Sequence, residues 1–490
     1  MQLSNKTLSG LPDEVLKPGY DRSSITPGIV HIGLGNFHRA HQSWYLHRLM
    51  QQGMALDWGI IGAGVLDYDR AQRQKLLEQD YLTTLIELDP AGSAAEVVGS
   101  MIGYVPIEEG NAALIEQLAE PAIRIVSLTV TEGGYYQAGG VDALDTAHPD
   151  IAHDSANPET PRTAFGAIVA ALKRRRERGH GAFTAQCCDN LQGNGDILRS
   201  TVVSLARMSD PELANWIDTQ CSFPNAMVDC IVPATGPDEL AMVKALGIDD
   251  QIPVTHENFR QWVIEDDFCA GRPPWEKVGV TLTDDVHAYE SMKIRILNGG
   301  HQIIANAGEI LSVETISACM EDKHIGELFR TVAMREIVPH VQAVPGMSPQ
   351  DYVELIDTRF SNPRILDTTR RVAFDGSSRH IGFVLPVVRE ALKTGAALDG
   401  LALSEALWAR MCEGTREDGS VIEPNDPHWD ELVVAAKAAR ENPHAWLAQR
   451  QYYGELADHP AFAETFAQWL QMIWSDGARV AIAAYLGEHR

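Results

Sequence analysis

The chain has 490 residues, 45% of them hydrophobic and 22% charged, the balance of a globular protein long enough for two or three domains and ample core. Its formal net charge of -27 repels phosphate backbones and anionic lipid, which argues against nucleic acid and membrane surfaces as partners. The same charge disfavours a highly anionic substrate unless local basic groups reverse the field.

The N-terminal stretch MQLSNKTLSGLPDEV has no apolar signal core, and no later run approaches the length of a membrane span. Residues 28–35, GIVHIGLG, read as a buried strand entering a tight turn, and 36–53 as a helix. Further strands are expected at 58–65, 123–130, 182–188 and 226–232, with helical patterns such as 163–181 between several of them. Strand alternating with helix indicates an α/β domain with a mostly parallel sheet. The RRRER run at 174–178 fits a helix C-terminus, where cations complement the dipole and Gly179 ends the helix. Seven cysteines, Cys187, Cys188, Cys221, Cys230, Cys269, Cys319 and Cys412, make no disulfide framework and show no zinc-ligand spacing. A reducing cytoplasm is therefore expected. From about Tyr289 the pattern turns to long amphipathic helices, which places one domain at 1–285 and a mainly α-helical one at 286–490.

Two places in the first domain suggest binding. HIGLGNFHRAH (31–41) carries Gly33 and Gly35, with His38 where a third glycine of the dinucleotide fingerprint would stand. The glycines allow a tight turn, and the helix that follows offers free N–H groups to a phosphate. Asp67 and Asp69, after the second strand, either bind ribose hydroxyls, which would favour NAD over NADP, or cap the next helix. Ligands gather beyond the carboxyl ends of strands. There the sequence offers Glu132, Asp189-Asn190, and Asp229 inside an apolar run. Each alone reads as a turn former or a satisfied polar group; together they would line one sheet edge.

The stretch YESMKIRILNGGHQ (289–302) sets a lysine, an asparagine and a histidine into an apolar run. On an α-helix, about 100° per residue puts Lys293 at zero, His301 near 80° and Asn298 near 140°, all on one side. Partial desolvation would lower the lysine pKa toward general-base range. An amide can hold a hydroxyl that becomes a carbonyl, and a histidine can orient a neighbouring hydroxyl. These groups suit metal-free oxidation of a secondary alcohol. The alternative is a snorkelling lysine and a satisfied core histidine.

Several segments in order, HIGLGNFHRAHQ, DWGIIGAGV, RIVSLTVTEGGY, CCDNLQGNG, SFPNAMVD, FRQWVIEDDFCAGRPPWEKVGV, MKIRILNGGH, RFSNP and DGSS, resemble those of the mannitol dehydrogenase family, the polyol-specific long-chain dehydrogenases and reductases. The resemblance implies a zinc-independent, NAD-preferring enzyme with an N-terminal Rossmann-type domain, a helical C-terminal domain, and the site in the cleft between them. It assigns Lys293 as the base, Asn190 and Asn298 to the reacting oxygen, and His301 to orientation. Glu132 and Glu290 match a proton relay. Asp229, Arg371 and Arg379 match substrate contacts, and Gly33, Gly35, Phe37 and Asp69 match cofactor contacts. Three positions depart from the family pattern: Cys230 for arginine, Gly300 for serine, and Arg379 where lysine is common. They bear on the substrate more than on the chemistry.

The expected reaction is reversible oxidation of a sugar alcohol by NAD, D-mannitol to D-fructose first, with D-arabinitol to D-xylulose or D-sorbitol oxidation close behind, in a monomer. The alternatives are a hexuronate (fructuronate or tagaturonate) reductase and a non-catalytic NAD-binding sensor.

Overall fold

The computed structural model describes residues 1–137 and 143–487, in two compact units, Met1–His287 and Ala288–Arg490. In the first unit five strands form one sheet: β1 (Pro27–Ile32), β2 (Gly59–Ala63), β3 (Met101–Tyr104), β4 (Ile125–Leu128) and β5 (Thr184–Cys187). They pair in the order β3-β2-β1-β4-β5, all parallel. That is the doubly wound order of a dinucleotide-binding sheet, with its switch point between β1 and β4.

Both faces of this sheet are covered, which is why its strands read as continuous apolar runs. On one face Ile29 and Ile125 pack with Tyr45, Leu46 and Leu49. On the other, Val30, Ile32, Val126 and Leu128 pack with Phe165, Ile168 and Leu172. The helix expected over 36–53 is in fact two, α1 (Asn36–Ala40) and α2 (Gln42–Gln51), broken at His41 with φ -120° and ψ -95°. The His41 ring stacks on Phe37 at 4.7 Å, and its Nε2 is 3.0 Å from the Gln261 carbonyl oxygen, so tertiary contacts override helical continuity there. Helix α3 (Asp69–Glu78) follows β2, and α4 (Ala164–Glu177) ends in the arginine run. Within that run Arg174 and Arg178 pair with Glu116, while Arg175 is buried and donates to the carbonyls of Glu120, Ile123 and Gly181. The run is structural.

Two smaller sheets complete the unit. One joins Val15–Leu16, Gly92–Val98, Thr83–Asp89 and Val254–Glu257. The other has the order β8-β7-β6, where β6 is Ala226–Asp229, β7 Gln261–Glu265 and β8 Thr281–Thr283. This corrects the expectation that Asp229 extends the edge of the parallel sheet. Strand β6 pairs antiparallel with β7, and Asp229 lies opposite Gln261.

Among its described residues the second unit has no strand, only isolated bridges, and its helices include α5 (Gly299–Ile310), α6 (Pro349–Phe360), α7 (Asp399–Met411) and α8 (Pro460–Asp476). Helix α7 packs against α5 and α8 and is buried at every residue from Gly400 to Met411, which explains its apolar character all round. Its buried carboxylate, Glu405, accepts from His380 Nδ1 at 2.6 Å and Tyr453 Oη at 2.8 Å. Asn306 of α5 donates to His380 Nε2 at 2.9 Å. The buried charge is thus matched by donors, as burial demands.

Candidate functional site

The glycine turn leaves β1 toward α1. Gly33 has φ +86°, and a Cβ there would stand 2.1 Å from the Thr129 carbonyl oxygen, so no side chain is tolerated. Gly35 has nothing within 4 Å of an added Cβ, which leaves its backbone open to a ligand. The missing third glycine has a physical replacement. His31 and His38 stack at 3.5 Å, with His31 facing Ser127 Oγ and Thr129 Oγ1 at 2.8 Å each. Thr129 Oγ1 in turn donates to the Gly33 carbonyl at 2.6 Å. Burial holds the His31 pKa down at about 3, so the ring is neutral and the network beneath the turn is uncharged.

Phe37 is half-buried and packed on His41. Asp69 is buried at the N-terminus of α3, with Oδ2 accepting from the Leu66 N–H at 3.1 Å. Burial raises its pKa. A Cβ on Gly64 would meet that carboxylate at 2.3 Å, so the acid sits against the chain just beyond β2, where a ribose-binding acid belongs. Asp67 instead is exposed and paired with Arg70 at 3.2 Å. A cavity of about 520 Å³ opens beside α1, lined in part by Asn36, Arg39, Gln72 and Lys75. Open backbone at Gly35, a glycine-only turn at Gly33 and an acid beyond the second strand together fit NAD.

The strand-end residues come next. Asn190 is exposed three residues beyond the end of β5 and one after the buried Asp189. The side chain of Asp189, which sequence reasoning passed over as a turn former, accepts from Val130 N–H at 3.0 Å, Thr131 N–H at 3.1 Å and Tyr135 Oη at 2.7 Å. The backbone of Glu132 opens the short 3-10 helix Glu132–Tyr135; its side chain lies outside the described residues. Asp229 is buried at the end of β6.

In the second unit Glu290 lies in helix Val286–Met292 and is buried, as is Lys293. The expected single α-helix over this stretch is not what forms. Lys293–Asn298 is a π-helical segment, and α5 begins only at Gly299. A π turn bonds residue i to i+5, so residues five apart come to stand one above the other, as residues four apart do in an α-helix. Lys293 and Asn298 are five apart, and the angular spread calculated for an α-helix is therefore too large. Two further π segments, Ala333–Ile337 and His380–Val384, pack against this one. Such insertions concentrate at functional sites.

His301 lies on the first turn of α5. Its ring stacks on Phe360 at 4.2 Å and 16°, and its Nε2 is buried without a protein partner. Burial holds its pKa down at about 4; Asp367 opposes this, while Arg371, Arg359 and Arg379 reinforce it. A neutral imidazole with one unmet nitrogen can take a hydroxyl. Arg371 is tied to Asp367 by two bonds of 2.6 Å, and Arg379 Nη1 donates to the Val372 carbonyl at 2.6 Å. Gln302 of α5 donates to that same carbonyl at 3.1 Å, which links α5 to the arginine-bearing segment. Cys230 is half-buried after β6. Gly300 is buried, and a Cβ there would meet Phe329 Cε2 at 2.4 Å. Among the described residues no group of three or more His, Cys, Asp or Glu could hold a metal, and no helix is long and apolar enough to cross a membrane.

Residues 27–277 match the mannitol dehydrogenase Rossmann domain and residues 285–474 the mannitol dehydrogenase C-terminal domain. A mannitol 2-dehydrogenase of Cereibacter sphaeroides is 53% identical over 473 residues, covering 96% of this chain and 99% of that protein. Among solved structures, the mannitol 2-dehydrogenase of Pseudomonas fluorescens in ternary complex with NAD and D-mannitol superposes with a TM-score of 0.87 at 37% identity, covering 100% of both chains. A D-sorbitol dehydrogenase in substrate-free form gives 0.92 at 35% identity, over 98% of this chain and 100% of that one. The chain belongs to the mannitol dehydrogenase family.

Proposed function

We propose that this chain is an NAD-dependent polyol dehydrogenase that oxidises a sugar alcohol to a ketose, with D-mannitol to D-fructose as the first assignment. The observation that carries the reading is the segment Lys293–His301. There a π turn brings lysine and asparagine to one face, and a buried neutral imidazole with an unmet Nε2 follows. NAD, when bound, supplies the hydride acceptor. Gly33, Gly35 and Phe37 form the turn that takes its pyrophosphate, and Asp69 takes the adenosine ribose. A carboxylate there repels a 2′-phosphate, so NAD is preferred over NADP.

Lys293 takes the proton of the reacting hydroxyl. Asn190 and Asn298 donate their amide N–H groups to the oxygen as it gives up its proton, when its negative charge is greatest, and keep hold of it as it becomes a carbonyl. His301 Nε2 orients a neighbouring hydroxyl. Glu290 and Glu132 pass the proton to solvent. Asp229, Arg371 and Arg379 bind the remaining hydroxyls. Arg371 is already matched by Asp367, which supports a neutral polyol over a hexuronate. Residues 1–285 serve the cofactor and 286–490 the substrate, in a cytoplasmic monomer.

The test is NADH formation with D-mannitol, D-arabinitol, D-sorbitol, xylitol and ribitol, each with NAD and with NADP, alongside fructuronate and tagaturonate reduction. Turnover of one or two polyols with NAD is expected. Reduction of a uronate with no polyol activity would replace the reading. NAD binding by calorimetry without any turnover would leave a sensor.

A further inference from the structure

Thr131 has φ +67° and ψ 160°, a conformation that is essentially glycine's alone and is costly for a β-branched residue. Strain of this kind persists only where the surroundings over-determine it. Here a buried carboxylate is among the groups that hold it, alongside the Gly134 N–H that donates to the Thr131 carbonyl at 2.9 Å. Asp189 Oδ1 accepts the Thr131 N–H and Oδ2 accepts the Val130 N–H, so both oxygens grip consecutive peptide groups just beyond β4. Tyr135 Oη, fully buried four residues further on, donates to Oδ2 as well. Asp189 itself follows β5, the parallel neighbour of β4. Its backbone is also pinned, because Asn194 Nδ2 donates to its carbonyl at 3.1 Å and to the Ala226 carbonyl at 2.7 Å. Asn190 lies inside that closed loop.

We infer that Asp189 is a positioning residue: its carboxylate holds the strained Thr131 and so fixes the β4 loop, which carries Glu132, in register with Asn190 on the β5 loop. Nothing about turn formation requires this arrangement. A turn-forming aspartate bonds its own backbone two residues on, whereas this one reaches across to the neighbouring strand's loop. The inference rests on the reading of Asn190 as a holder of the reacting oxygen.

Asp189→Asn keeps the shape but turns one acceptor into a donor facing N–H and O–H groups. Misplacement by about 1 Å costs on the order of 100-fold in rate. We expect kcat to fall about that much, with KM for NAD changed by less than about three-fold. Thr131→Gly in the same chain should return at least about ten-fold of kcat, because glycine adopts that backbone without strain. A purely structural aspartate would show no such rescue, since glycine only adds freedom to the unfolded chain. Tyr135→Phe, which removes one donor and no charge, should lower kcat about three- to ten-fold in a fully folded protein. The inference is overturned by Asp189→Asn or Tyr135→Phe turning over like the parent, by a double variant no better than Asp189→Asn, or by kcat and NAD affinity falling together. Asn190→Ala, measured alongside, separates the two layers: if it turns over normally, the reading of Asn190 fails; if it is crippled while Asp189→Asn is normal, only this inference fails.

Discussion

Gly300 offers the sharpest test of how His301 is held. Replacing it by Ala puts a Cβ 2.4 Å from Phe329 Cε2 and 3.0 Å from Cδ2, against about 3.5–4.0 Å for an ordinary carbon contact. The ring must retreat by about 1 Å. Phe329 has no exposed surface and nowhere soft to go; it leans on Phe360 at 5.5 Å, which is the ring stacked on His301. Overpacking of this kind costs about 1–3 kcal/mol, while relief of glycine in a helix interior returns about 1 kcal/mol. We expect a net loss of up to about 2 kcal/mol in urea unfolding. We also expect kcat/KM for the polyol to fall about 10- to 100-fold with unchanged NAD affinity, because His301 is displaced. Gly300→Ser should behave alike, and adding Phe329→Leu should restore both properties. A Gly300→Ala protein that gains the full 1 kcal/mol and keeps its kinetics would refute the buttress from Phe329 through Phe360 to His301.

Lys293→Ala should lower kcat at neutral pH by about three powers of ten, the scale of a general base; near-normal turnover would remove Lys293 from that role. Acid should destabilise the fold earlier than carboxylate protonation requires. In the unfolded chain His31 and His301 bind a proton near pH 6.5, but in the fold burial delays this to about 3 and about 4. Between pH 6.5 and 4 the unfolded state therefore binds more protons, and stability falls as pH falls, by on the order of 3 kcal/mol for each ring. A urea midpoint that stays flat across that window would contradict the neutral rings. Glu405→Leu should cost roughly 2–6 kcal/mol, because it orphans the buried His380 and Tyr453 donors at about 1–3 kcal/mol each; a loss under about 1 kcal/mol would show that those donors find other partners. Asp69→Ser should narrow the preference for NAD over NADP, read as the ratio of the two kcat/KM values; an unchanged ratio would move the ribose contact elsewhere, with exposed Asp67 the next candidate.

Local pattern was enough for much of this protein. Buried parallel strands show as apolar runs because both faces are covered, and Gly33 and Gly35 mark a turn because only glycine's backbone suits it. The change to helix beyond Tyr289 shows because amphipathic periodicity needs no distant partner. Lys293, Asn298 and His301 could be singled out for the same reason, as polar groups in an apolar run.

Tertiary structure decided what depends on residues far apart in the chain. His38 replaces a glycine only because His31 lies beneath it. His41 breaks a helix because Phe37 and the Gln261 carbonyl hold it. Asp229 belongs to a separate sheet because β7 claims its strand. The π turn at Lys293–Asn298 inserts one residue per turn in a stretch whose periodicity reads as plain α-helix. Asp189 looks like any loop aspartate until Val130, Thr131 and Tyr135 are found on its two oxygens. The unmet nitrogen of His301 is likewise invisible in sequence, since being without a partner is a property of everything packed around the ring.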